Sequence, residues 1–181
     1  MIERLWALLA RFANGWVFLA LVIAFGLCRI GFKRFNAAYA PAKSFDGRGF
    51  YKPSDAPDIL KKFGSNIDIY LRQESTLDLA FPIIYSLTFA VGIVWLGKSA
   101  PHSLVVLPFA TAIFDYCENV SVIGMIVHYR KSQTVPPALA WIASVATPVK
   151  TALFLASGVV LIVLALLRLY RYSTAVPSST L

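Results

Sequence analysis

A chain of 181 residues that is 58% hydrophobic and only 14% charged, with a mean hydropathy of +0.68, has more apolar surface than a soluble domain of this size can hide, and belongs in lipid. The formal net charge of +8 does not point to nucleic acid, because the basic residues sit beside apolar segments rather than along one face or in an arginine-rich arm. Cys28 and Cys117 each lie in an apolar stretch without CxxC or Cys/His spacing, which argues against a disulfide framework, a structural zinc site and thioredoxin-like redox chemistry.

Four apolar segments, 16–32, 78–96, 104–127 and 138–167, are long enough to cross a hydrocarbon core of roughly 30 Å, which takes about 20 helical residues. The first has an amphipathic lead-in from Ile2. Its start carries Glu3 and Arg4, and Cys28-Arg29-Ile30-Gly31 near its end is a poor small-residue cleavage site for a signal peptide, so a retained helix is expected. The loop that follows, 33–76, is punctuated by Pro41, Gly47, Gly49, Pro53 and Pro57.

Within 54–74 the character changes. Ile59, Leu60, Phe63, Ile67, Ile69, Tyr70 and Leu71 fall among Lys61, Lys62, Asp68 and Arg72, a pattern for one or two short amphipathic helices broken near Gly64 and Ser65. They are expected to lie on the membrane surface and lead into the second span, the other reading being a solvated loop helix. The connections at 97–103 and 128–137 are short, so successive spans should pack antiparallel.

The expected fold is therefore all-α: an integral membrane four-helix bundle, one domain over 1–172, with an interfacial helical segment between the first two spans. The Ser/Thr-rich tail 173–181 is expected to be mobile. No internal repeat points to an inverted-repeat transporter. Lys33, Arg34, Lys43, Arg48, Lys52, Lys61, Lys62, Arg72, Arg130 and Lys131 fall on one side of the membrane, and Arg4, Arg11, Lys98, Arg168 and Arg171 on the other. By the positive-inside tendency both termini should face away from the cytoplasm.

Charge inside the apolar segments is the functional signal, since ionisable groups at bilayer depth are costly and mark sites. Asp115, Glu118 and Asn119 are spaced to share one helix face, with Thr111 a turn earlier. In the second span Glu74, Asp78 and Tyr85 share a face, and Pro82 cannot donate to the carbonyl of Asp78. In the fourth, Ser144, Thr147 and Thr151 line a face with Lys150 at its edge.

With a rise of about 1.5 Å per residue, Asp115 and Lys150 come level. The resulting picture is a cavity open to the cytoplasm, with Glu74 and Asp78 at its entrance and Asp115, Glu118 and Lys150 at its floor. Two acids and one lysine leave an acid over, available to a proton, a cation or a ligand. If the site is catalytic, Glu118 or Asp115 is the expected acid/base group. The equally weighted alternative is that Lys150 pairs with one of the acids, and Asn119 with a freed carbonyl, only to lock the helices. Hard oxygen ligands spaced as in Asp115, Glu118 and Asn119 do not by themselves identify a metal, and no metal or cofactor is expected.

The runs Leu77-Asp78-Leu79-Ala80-Phe81-Pro82-Ile83-Ile84-Tyr85 and Phe114-Asp115-Tyr116-Cys117-Glu118-Asn119 resemble small four-helix bacterial membrane proteins that have no assigned activity. That resemblance covers residues 55 to 170 and implies a location in the bacterial inner membrane. In architecture the chain is also similar to the sterol-isomerase and sigma-2-receptor superfamily, whose members have four spans, a long first loop and acidic residues in a lipid-binding pocket.

The expected function is binding of a small amphipathic or cationic ligand by Asp78, Tyr85, Asp115, Glu118, Asn119 and Lys150. A membrane enzyme acting on a lipid-like substrate, a proton-coupled carrier and an assembly subunit remain as alternatives. The expected partners are membrane lipids and an amphipathic small molecule, with a second copy or another membrane subunit left open, and no nucleic acid.

Overall fold

In the computed structural model, which describes residues 1–175, the chain is all-α, with α1 (Ile2–Phe12), α2 (Gly15–Ala38), α3 (Ala56–Lys61), α4 (Ile67–Leu96), α5 (Val106–Ser132) and α6 (Pro137–Ala175). Among the described residues α2, α4, α5 and α6 include four stretches long and apolar enough to cross a membrane, which makes this a membrane protein.

The lead-in to the first span is a separate helix. It stops because Asn14 takes an extended conformation and caps α2, its Oδ1 accepting from the amides of Trp16 and Val17 at 3.0 Å each. Glu3 and Trp6 then fix α1 to the turn before α5: Glu3 Oε2 lies 2.6 Å from His102 Nδ1, and the Trp6 and His102 rings stack at 4.2 Å.

Helices α4 and α5 form the inner pair. Half of each apolar window is buried, against 6% for α2 and α6, whose outer faces carry exposed residues such as Leu19, Ile23 and Leu27 or Leu155, Val159 and Ile162. Lipid covers such faces without penalty. Small residues permit the close crossings: a Cβ added at Gly92 of α4 would meet Leu161 of α6 at 2.6 Å and Phe18 of α2 at 2.7 Å. Gly124 of α5 stands in the same relation to Leu139 of α6 at 2.8 Å.

The segment between the first two spans differs from its sequence reading in extent and in what it packs on. Its second half is the start of α4, a helix of 30 residues and so about 45 Å long, whose first turns extend beyond the roughly 30 Å hydrocarbon thickness. Its first half, around α3, turns its apolar side inward: Ile59, Leu60 and Phe63 are buried, in one cluster with Tyr39, Tyr70 and Met125. Phe63 stacks on Tyr70 at 4.2 Å with the planes 8° apart. The Tyr70 hydroxyl oxygen accepts the Phe45 amide at 3.2 Å, which folds the chain around Ser44–Arg48 back over the end of the bundle.

The connection before α5 and Arg168 of α6 lie at the opposite end, where Arg168 donates to the Trp95 carbonyl at 2.8 Å and covers the Trp95 ring. A second apolar cluster, including Leu9, Val91, Ile93 and Val105, fills that end. Between the two clusters lies a polar layer. Helix α6 continues through Ser173 and Thr174 to Ala175, where a mobile tail was expected from 173, and 176–181 lie outside the described residues.

Candidate functional site

Pro82 sits inside α4 and has no amide proton, so the carbonyl of Asp78 one turn earlier lacks its helical donor. Asn119 of α5 supplies one, its Nδ2 lying 2.6 Å from that oxygen. The Tyr116 hydroxyl adds a bond to the carbonyl of Leu79 at 2.8 Å. These two contacts set the register of α5 against α4 and bring Asp115 beside Tyr85, whose hydroxyl donates to Asp115 Oδ2 at 3.0 Å.

On the other side of α5, Lys150 of α6 reaches into the same layer. Its Nζ lies 2.6 Å from Asp115 Oδ1 and 2.6 Å from Asp46 Oδ1, and Glu118 Oε2 is its third partner. The second oxygen of Glu118 accepts from Thr147 at 2.6 Å. Lys150 and Asp115 therefore come level, as the helical rise requires, and one ammonium holds together α5, α6 and the first loop.

Asp78 belongs to a different network. Its Oδ2 accepts from Gln73 Nε2 at 2.9 Å, and the Tyr39 hydroxyl is shared between Gln73 Oε1, at 2.9 Å, and Asn36 Oδ1. Burial pushes the Tyr39 phenol up to about 12, so it remains a donor at physiological pH. Three carboxyl groups, Asp46, Asp115 and Glu118, thus surround one lysine, and two more, Glu74 and Asp78, are buried without contacting it. Neither Glu74 nor Asp78 is ion-paired among the described residues.

A cavity of about 370 Å³ opens beside this layer. Asp46, Asp78, Asp115, Lys150 and Tyr85 provide its polar wall, and Phe32, Phe81 and Phe154 its apolar one. Tyr85 meets both Phe81 and Phe154 edge-on at 5.2 Å, which holds the rings in place. The exposed lining residues are Arg29 and Asn36 on α2, Thr151 and Leu155 on α6, and Gly47. The cavity consequently opens sideways, between the two outer helices and beneath the loop.

This arrangement redraws the expected site. Asp78, Tyr85, Asp115 and Lys150 line the cavity, but Glu118 and Asn119 do not: each is 1% exposed and points into the contacts between helices. Glu74, expected at the entrance, is likewise buried at 2% and outside the cavity wall. The loop occupies the place where a cytoplasmic mouth was expected, which is why the opening is lateral.

Sequence reasoning missed Asp46, Arg29 and Gln73. The only local signal at Asp46 is its place in an Asp-Gly turn, and its partner Lys150 is 104 residues away. Burial acts most strongly and would raise the Asp46 carboxyl, but the Lys150 charge together with hydrogen bonds from Glu118 and Lys150 leaves the group below its ordinary value. Burial likewise pushes the Tyr51 phenol up. Among the described residues no three of His, Cys, Asp and Glu come together in a way that could hold a metal ion. Cys28 and Cys117 are both free.

Compared with protein-family models, curated proteins and solved structures, the chain matches none.

Proposed function

We propose that this protein binds a small amphipathic molecule, cationic at its polar end, taken from the bilayer through the opening between α2 and α6. The observation that carries this reading is the pairing of an apolar aromatic wall with Asp78, a carboxyl that lines the cavity without an ion-pair partner among the described residues. Concave sites of this size, mostly apolar with a few fixed polar groups, are the usual form of small-molecule pockets. A positively charged group placed there gains both the Asp78 carboxyl and the neighbouring rings of Phe81 and Tyr85.

The lateral opening suits a ligand already dissolved in lipid. Arg29 at the mouth, with Lys33 and Arg34 a turn further along α2, suits the depth of the headgroups. In this reading the loop faces the cytoplasm and both termini face away from it, in the inner membrane of a bacterium. A membrane enzyme on a lipid-like substrate is the second reading. It is favoured by the same observation, because a carboxyl in contact with cavity contents can transfer a proton.

The test is thermal stability in detergent with and without a total lipid extract, for wild type, Asp78→Asn, Thr151→Trp and Glu118→Gln. Thr151 is exposed at the mouth, so tryptophan there blocks access with little effect on the core. Extract should stabilise wild type and Glu118→Gln, but neither Asp78→Asn nor Thr151→Trp. Stabilisation that survives both cavity variants, or that wild type lacks, would show that the polar layer only packs helices. Conversion of an extracted lipid that stops in Asp78→Asn would favour the enzyme.

A further inference from the structure

The turn Asp46–Arg48 separates two cavities. Asp46 and Gly47 border the one described above, while Gly47 and Arg48 border a second, of about 510 Å³, on the outer side of the loop. Lys43, Arg48 and Lys62 bring three positive side chains to this second cavity. The Arg48 guanidinium donates from Nη2 to the Lys43 carbonyl at 3.1 Å, which fixes its plane, yet its Nε is buried and has no acceptor among the described residues.

A buried guanidinium donor without an acceptor is costly, and its geometry matches phosphate oxygens. Of the two acids at the cavity, Asp55 is engaged by the Lys52 amide at 3.2 Å and the Ser54 hydroxyl at 3.3 Å. Asp58 is exposed, and both acids oppose an anion, so they limit affinity without filling the site. Phe50, at the cavity edge, is 69% exposed and placed to dip into a membrane surface.

We propose that this loop cavity is an anion site for a phosphate group, held by Arg48 with Lys43 and Lys62, and distinct from the cavity between α2 and α6. The phosphate comes from an anionic lipid headgroup or from a free phosphate in solution. The site depends on neither the ligand nor the chemistry of the lateral cavity.

The experiment measures the thermal midpoint and binding isotherm of the full chain in detergent as inorganic phosphate replaces chloride at constant ionic strength. The same midpoint is then compared in phosphatidylcholine vesicles with and without phosphatidylglycerol. Stabilisation by inorganic phosphate identifies a site open to free phosphate, and stabilisation by phosphatidylglycerol alone identifies a headgroup site. In either case Arg48→Gln should weaken the effect by about tenfold, the worth of a hydrogen bond between charged groups.

Arg48→Lys should fall between the two, Asp58→Asn should strengthen binding, and Lys52→Gln, outside the cavity, should leave it unchanged. Lys62→Gln, at an exposed position, gives the same readout should Arg48→Gln not fold. The proposal is overturned if neither phosphate source stabilises wild type, if neither Arg48→Gln nor Lys62→Gln reduces the effect, or if Lys52→Gln reduces it as much as they do.

Discussion

Replacing Lys150 with methionine keeps most of the side chain's volume and removes the ammonium shared by Asp46, Asp115 and Glu118. The side chains of Asp115 and Glu118 are 10% and 1% exposed, so both carboxylates lose their counter-charge where water does little to replace it. Removing one partner of a buried pair costs about 3–5 kcal/mol. The Asp46 contact adds little to that figure, because its side chain is 34% exposed and pairs open to solvent are worth about 0–1 kcal/mol. Chemical unfolding in detergent at neutral pH should therefore place Lys150→Met about 3–5 kcal/mol below wild type.

Neutralising the acids as well should restore part of that loss, since it removes the two buried charges that Lys150→Met leaves uncompensated. The triple variant Lys150→Met, Asp115→Asn, Glu118→Gln should accordingly be more stable than Lys150→Met alone. The reasoning is refuted if the single variant unfolds within about 1 kcal/mol of wild type, the range of an ordinary substitution. It is also refuted if the triple variant is no better than the single.

Asp46 gives a prediction with a pH window. Its folded-state value lies below the ordinary 3.8, so its contribution is present above 3.8 and is lost as the pH falls through the lower folded value. Asp46→Asn should thus be less stable than wild type at neutral pH, with the gap closing below 3.8, as followed by chemical unfolding at a series of pH values. A gap that widens towards acid would contradict the assignment. Asn119→Leu leaves the Asp78 carbonyl, already deprived of its helical donor by Pro82, buried and unpaired, and should lower stability by about 1–3 kcal/mol. Pro82→Ala in that background should recover part of it by restoring the helical bond, read by thermal melts of the single and double variants.

The helices could be read directly because lipid imposes a rule that each one obeys alone: about 20 apolar residues, with every backbone group satisfied inside the helix. The same local logic placed Asp115, Glu118 and Asn119 on one stripe and identified the carbonyl that Pro82 leaves free, since helical spacing and a missing amide proton need no knowledge of the neighbours.

What each stripe faces was another matter. Three residues on a common face divide between a cavity wall, reached by Asp115, and a closed contact, filled by Glu118 and Asn119, according to where α4 and α6 cross α5. Asp46 completes the charge cluster only because Phe45 binds Tyr70 and folds the loop back over the bundle. A loop residue's partner is set by the whole path of the chain, and no periodicity records it. Lateral access, too, is decided by tertiary structure: the loop closes the end of the bundle, and the opening between α2 and α6 is a property of their separation.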